Sequence, residues 1–267
     1  MARGLERGGD FPLPFEAAGV LRNRGRTGQM AGMRILLIRH GDPDYANDTL
    51  TDRGWTEARA LADYLADPNS EMLPQRLYVS PLGRARATAS CSEERLGLGA
   101  TVEEWTRELS ELRMPTRGLM AWDLHGNIIR DVAAGAERPR WETVDELAAV
   151  PYKETLSAIR DASDEFMRRH GYARSGHHYR VEQRNDDTIA VFCHGGFGLT
   201  WLSLLLEIDT PLVWAGFFLP ASSITTILLD EREDRIATPR CLGVGALPHL
   251  ARAGLQMSGA GIKANLR

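Results

Sequence analysis

Cysteine is scarce in this chain: 267 residues hold three, Cys91, Cys193 and Cys241. Scattered and odd in number, they supply neither a disulfide framework nor the spacing of metal ligands, which points to a reducing compartment. Cys193 closes an apolar run and reads as a small core hydrophobe, not a redox group. Long hydrophobic runs are also missing. The greasiest stretch, Phe197 to Leu229, is interrupted by Glu207, Asp209, Pro211 and Pro220, too often for a membrane span. The first 32 residues contain no apolar segment of signal-peptide length, so the expected location is cytoplasmic. Nor is there an excess of basic charge: 32 basic against 36 acidic residues leave a net charge of −4, which argues against general nucleic-acid binding. There is no internal repeat and no low-complexity tract. At 43% hydrophobic and 25% charged, the composition is that of a soluble globular protein able to build one large α/β core.

Residues 1–32 differ from the rest, being rich in glycine and arginine without a sustained apolar period. They are expected to form a mobile extension ahead of a single domain, 33–267. From Met33 the pattern becomes α/β. Ile35-Leu36-Leu37-Ile38 and Ile189-Ala190-Val191-Phe192-Cys193 read as strands buried on both faces, as in a parallel sheet. Thr51 is the expected N-cap of a helix carrying Trp55, Ala58, Leu61, Ala62 and Leu65 at helical spacing. Leu77-Tyr78-Val79 reads as a strand running into Ser80-Pro81, a serine cap with proline at the first position of a helix to about Leu96. A third strand is expected at Thr101–Trp105, and an irregular excursion over 109–150. An amphipathic helix follows at Thr155–Arg169, then a polar loop, then the strand to Cys193 and a helix from about Leu199. Two strands, Ser223–Asp230 and Ile236–Gly243, precede a Gly/Ala-rich tail from Ala251 that reads as peripheral.

Both buried strands end in histidine and glycine: Arg39-His40-Gly41 and His194-Gly195-Gly196. Ligands of open α/β sheets bind beside the carboxyl ends of parallel strands, so neighbouring strands would bring both imidazoles and Arg39 into one pocket. Gly41 would let the chain turn sharply and leave the His40 ring exposed at the sheet edge. Arg84 falls in the first turn of the helix after Ser80-Pro81, where free N–H groups already favour an anion. Arg86 points to another face and reads as a surface charge. Fixed positive charge on Arg39 and Arg84 suits a phosphomonoester dianion, and a neutral His40 could attack phosphorus in line. A poor alkoxide leaving group then needs a carboxylic acid. Glu108 follows the third strand and could reach the same edge; Glu103, Glu104 and Glu111 are competitors, and position alone leaves the choice open. His177-His178, with His170 nearby, lacks carboxylate or cysteine partners at fitting offsets and reads as solvated loop, not a metal site. His125 and His249 have no motif support.

In order, Leu37-Ile38-Arg39-His40-Gly41, Leu50-Thr51-Asp52-Arg53-Gly54, Ser80-Pro81-Leu82-Gly83-Arg84-Ala85, Arg107-Glu108-Leu109 and His194-Gly195-Gly196 resemble the histidine phosphatase superfamily, also called phosphoglycerate mutase-like. The resemblance covers about residues 33–250. It implies a three-layer α/β/α sandwich with a mostly parallel central sheet and a phosphohistidine intermediate. On that basis His40 matches the nucleophile, Glu108 the proton donor, and Arg39, Arg84 and His194 the phosphate pocket, with Gly195 beside them. Residues 109–187 match the insertion that shapes the substrate pocket. Where many members carry Ser or Thr three residues after the first histidine and Asn six after it, this chain has Pro43 and Ala46, with Asn47 one place late.

Three readings follow. The first is a metal-independent phosphomonoester hydrolase, a histidine acid-type phosphatase acting on a phosphorylated small molecule without a cofactor. It is favoured because the run Glu108-Leu109-Ser110-Glu111 lacks the Glu-Arg-His-Tyr-Gly pattern of cofactor-dependent mutases. The second is a phosphoglycerate mutase or related phosphotransferase. The third is a non-catalytic phosphate-binding module, for which Pro43 and Ala46 speak. Arginines 113, 117, 130, 138 and 140 with Trp122 suggest contacts to an anionic or ring-bearing substrate, and equally a solvated mixed-charge surface. The substrate itself and the oligomeric state are not legible in the sequence.

Overall fold

The computed structural model describes residues 32–262 apart from Glu71 and residues 136–138. The expected extension therefore lies, Gly32 excepted, outside the described residues, as does Arg138. The chain runs β1 (Arg34–Arg39), a small hairpin β2 (Pro43–Asp44) and β3 (Thr49–Leu50), α1 (Asp52–Leu65), β4 (Arg76–Val79), α2 (Gly83–Leu96) and β5 (Ala100–Val102). After an excursion holding α3 (Gly126–Gly135) and α4 (Asp145–Ala148) come α5 (Tyr152–Arg169), β6 (Tyr172–Ser175), β7 (His178–Val181) and β8 (Thr188–Cys193). Then follow α6 (Gly195–Leu206), α7 (Thr210–Gly216), β9 (Ile224–Glu233), β10 (Ile236–Ala246) and α8 (Pro248–Ala253).

Eight strands form one sheet in the order β5-β4-β8-β1-β9-β10-β7-β6. The first four are parallel, and from β9 onward the pairing is antiparallel. Alternation along the strands sorts the core into two layers. Ile35 and Leu37 of β1 pack with Phe166 of α5 and Trp201 of α6, whereas Leu36 and Ile38 pack with Leu61, Leu65, Ala85 and Ala89 of α1 and α2. Burial on both faces is why these strands are continuously apolar. The α/β/α expectation holds, with a parallel core extended by an antiparallel flank.

The decisive register is between β1 and β8, which are parallel neighbours with Ile38 opposite Phe192 and Arg39 opposite Cys193. His40 N–H then donates to the Cys193 carbonyl at 3.0 Å. Thr51 caps α1 as expected, its Oγ1 accepting from Gly54 N–H at 3.1 Å.

Several expectations are corrected. The excursion 109–150 contains the ten-residue α3, with Ile129 its buried residue; one anchoring position is too few to give a visible period. The polar loop after α5 is the hairpin β6–β7, held by Tyr172 and Tyr179, both fully buried in the hydrophobic core. Tyr172 OH accepts from Met33 N–H at 3.1 Å and donates to Glu231 at 2.8 Å, partners remote in sequence. His178 thus belongs to a strand, while His177 is exposed, 3.6 Å from Glu207. The third strand stops at Val102 and gives way to a 3₁₀ turn over Glu104–Thr106. Helix α6 begins at Gly195, four residues before the expected start.

Candidate active site

His40 is the first residue beyond β1. Its Nδ1 lies 2.8 Å from the Gly41 carbonyl, an oxygen that can only accept, so Nδ1 carries the proton and Nε2 keeps a lone pair. Arg84 Nε–H donates to that Nε2 at 3.3 Å. The ring is 1% exposed, so it does not stand free at the sheet edge as Gly41 suggested. Gly41 instead serves a close approach to α1: a Cβ there would lie 2.8 Å from the Gly54 carbonyl oxygen.

His194 follows β8, and its ring centroid is 5.2 Å from that of His40. Its Nε2 is 2.8 Å from Ser80 Oγ, and its buried Nδ1 has no partner among the described residues. Ser80 is therefore not a helix cap. Helix α2 starts at Gly83 behind Leu82, which makes no side-chain cap bond. The cap arrives from elsewhere: Asp48 at the tip of the β2–β3 hairpin accepts from Gly83 N–H at 2.6 Å and from Arg84 Nη1 at 2.7 Å. Asp48, missed in the sequence, has φ +47°, a conformation that Asp and Asn adopt more readily than other non-glycine residues. Asn47 does not reach the site, since its amide donates to Asp44 at 2.7 Å.

Arg39 ends β1 and is 5% exposed. Its Nη1 donates to the Leu219 carbonyl at 2.6 Å, while Nε has no partner among the described residues. Gly195 lies beside it, 3.4 Å separating Arg39 Nε from where a Cβ would stand. The early start of α6 makes its first N–H groups available: Gly196 and Phe197 donate to Glu108 at 3.2 and 2.8 Å. The other glutamates are engaged elsewhere. Glu103 pairs with Arg169 at 2.8 Å, Glu104 with Arg107 at 2.9 Å, and Glu111 accepts from Thr155 at 3.4 Å.

A cavity of about 660 Å³ is lined among others by Arg39, Arg84, Glu108, Gly195 and Gly261, with the two buried histidines behind these residues and not in its lining. Gly261 corrects the view of the tail as peripheral. Ser258 donates to Asp42 and the Gln256 carbonyl accepts from Arg53, tying the segment to the loop after His40. Gly261 has φ +87°, and a Cβ on it would stand 2.9 Å from Arg39 Nη2. At this one position a glycine that suggested a loose tail is what close packing on Arg39 requires.

Burial and the flanking Arg39 and Arg84 hold His40 well below the usual histidine range. His194 is lowered by burial, then by His40, Arg84 and Arg39. Glu108 is raised, because desolvation outweighs the N–H donors from Phe197 and Gly196 and the charge of Arg39. The result is a neutral imidazole, two fixed cations, and a carboxyl biased toward holding its proton. Of the other candidates, Arg107, Arg113 and Trp122 line the cavity. Arg117 and Arg140 pair with Glu146 and Glu142 at 2.7 and 3.5 Å, and Arg86 and Arg130 are exposed. The Cys193 thiol is fully buried and pushed up by desolvation, as suits a core residue. No helix among the described residues is long and apolar enough to cross a membrane.

The model of the histidine phosphatase superfamily (branch 1) matches residues 35–241. No curated protein matches the chain. Solved structures with the same fold include a mycobacterial glucosyl-3-phosphoglycerate phosphatase, with TM-score 0.54 and 20% identity over 80% of this chain and 98% of that one. A phosphoserine phosphatase from Entamoeba histolytica, solved with 3-phosphoglyceric acid, has TM-score 0.52 and 20% identity over 82% of this chain and 99% of that one. A protein described as mycobacterial hydrolase 2 has TM-score 0.55 and 22% identity over 86% and 94%.

Proposed function

The chain belongs to the histidine phosphatase superfamily, branch 1, and on that premise we propose that it hydrolyses phosphomonoesters through a phosphohistidine on His40. The observation that carries this reading is the setting of His40: Nδ1 lies against the Gly41 carbonyl, which leaves Nε2 as the unprotonated nitrogen, and its lone pair accepts only the long 3.3 Å bond from Arg84 Nε–H, which an arriving phosphoryl group would displace. The phosphoryl oxygens take the charge of Arg39 and Arg84, including the Arg39 Nε–H that has no protein partner among the described residues. His40 Nε2 forms the N–P bond as the ester P–O bond breaks, and the departing alkoxide takes the Glu108 proton. Glu108, now a carboxylate, removes a proton from water; the hydroxide attacks phosphorus, the N–P bond breaks, and phosphate leaves. A bound dianion next to His194 favours protonation of its ring, adding positive charge where the equatorial oxygens develop theirs. The sequence Glu108-Leu109-Ser110-Glu111 supports transfer to water over transfer back to substrate.

The test is turnover of an aryl phosphate together with recovery of acid-labile, base-stable phosphate on the protein. His40→Ala should abolish both. Hydrolysis that survives this change would refute the reading, and isomerisation faster than hydrolysis after priming by a bisphosphate would replace it with the phosphotransferase reading.

A further inference from the structure

Besides Arg39, Arg84 and Glu108, the cavity wall is lined by a set of aromatic side chains. We infer that the substrate is the phosphomonoester of a bulky, uncharged, ring-bearing alcohol, and not a small carboxylated phosphate. This rests on the phosphatase reading above.

The size is the first observation. About 660 Å³ falls within the range of roughly 300–1,000 Å³ typical of pockets that enclose drug-sized ligands. A phosphoryl group with three or four carbons would leave most of it to water.

The wall is the second. Tyr45, Trp122, Trp214, Phe217 and Phe218 all line the cavity. Three of these rings, Tyr45, Phe217 and Phe218, are among the large hydrophobic side chains left exposed, at 63%, 46% and 36%. Two of them border the cations, with the Arg84 guanidinium 5.5 Å from the Tyr45 ring and that of Arg39 5.7 Å from Phe218. Trp214 has its indole N–H bonded to Thr200 at 3.0 Å, so what it offers a ligand is ring carbon. Trp122 packs on the first turn of α6, where a Cβ on Gly196 would come 2.5 Å from its ring. That contact places an aromatic face next to the N–H groups that hold Glu108. Clustered apolar rings at the surface of a pocket mark a place where an apolar group is to be buried.

Charge is the third. A second anionic group on the substrate would need a cation besides Arg39 and Arg84. Arg107 lines the cavity but directs both Nε and Nη2 to Glu104, at 3.1 and 2.9 Å. Arg113 lines it as well, with one amine on the Gly118 carbonyl at 2.9 Å, and the carboxylate of Asp123 belongs to the same lining. One exposed guanidinium, Arg113, against five rings favours a hydrophobic alcohol over the carboxylate of phosphoserine or phosphoglycerate.

The experiment compares three primary alkyl phosphates on the full chain, the first two with leaving groups of matched basicity: 3-phenylpropyl phosphate, n-propyl phosphate and 3-phosphoglycerate. The expected order of kcat/KM is that order, with the phenyl ester at least ~30-fold above 3-phosphoglycerate. Phe217→Ser, a change at an exposed position, should narrow the phenylpropyl-to-propyl ratio several-fold. A preference for 3-phosphoglycerate, or a ratio untouched by Phe217→Ser, overturns the inference and leaves the phosphatase reading standing. Failure to hydrolyse any of the three, or an aryl phosphate, overturns both.

Discussion

Ser80 Oγ stands 2.8 Å from His194 Nε2, joining the chain after β4 to the chain after β8 at the centre of the site. The same oxygen lies 3.4 Å from Leu82 N–H, which donates to it. Ser80 thus positions an imidazole that has no other partner among the described residues. Ser80→Ala leaves a buried ring without its hydrogen bond, a loss of about 1–3 kcal/mol of stability. A fall in kcat larger than the change in KM should accompany it, because a misplaced His194 matters most when charge builds on the phosphoryl oxygens. Urea unfolding and steady-state kinetics measure the two effects.

Glu108→Gln removes the acid but keeps a hydrogen-bonding group of the same shape. Turnover of alkyl phosphates should fall on the order of 10²–10⁴-fold. Phosphorylation of His40 by an aryl phosphate should suffer far less, since that leaving group needs little protonation. With no base to activate water, phosphoenzyme should accumulate, and quench-and-count of protein-bound phosphate reads it directly.

The same residue shapes the pH profile. In the proposed mechanism the protonated form of Glu108 acts, and its pKa is raised, so activity should decline with rising pH at a point above the ordinary glutamate value. His40 must be neutral, and its pKa is lowered, so the acid limb should lie well below the ordinary histidine value. Log kcat/KM against pH tests both, and Glu108→Gln should erase the alkaline limb.

Stability should carry a separate pH signature. His249 on α8 is buried, bonded through Nε2 to Ser222 Oγ at 3.0 Å, and burial lowers its pKa to about 4. The unfolded chain binds a proton at this residue below about pH 6.5, whereas the folded one does so only near 4. The contribution is therefore complete above 6.5 and is lost as pH falls toward 4. Denaturation midpoints taken between pH 7.5 and 4.5 should drop, with a shallower slope in His249→Gln.

Gly261→Val tests the tail. A branched residue at φ +87° is strained, and its Cβ would meet Arg39 Nη2 at 2.9 Å. Displacing Arg39 or the segment should raise KM several-fold with little change in the melting temperature. Unchanged KM would show that the tail does not bear on the phosphate end of the cavity.

Much of this protein could be read along the chain. The apolar runs of β1 and β8 declare buried parallel strands because both of their faces meet helices, and His40 and His194 follow where those runs stop. Thr51 and the spacing from Trp55 to Leu65 declare α1, because capping and helical period act within a few residues. The family and the layered fold rest on such short-range features.

Other features could not be read this way. Ser80 and proline look like a local cap, yet the hydroxyl turns to a histidine 114 positions away and Asp48 caps α2 across the hairpin. Tyr172 and Tyr179 look like polar-loop residues until Asp164, Glu231 and Met33 close around them. Arg39 meets the Leu219 carbonyl 180 residues on, and Ser258 reaches Asp42 over 216. Periodicity and capping preferences act only over a few turns of chain, so they set which groups stand at strand ends. Which of those groups touch, and that the tail reaches Arg39, was decided when the fold closed, by contacts between segments that no local pattern connects.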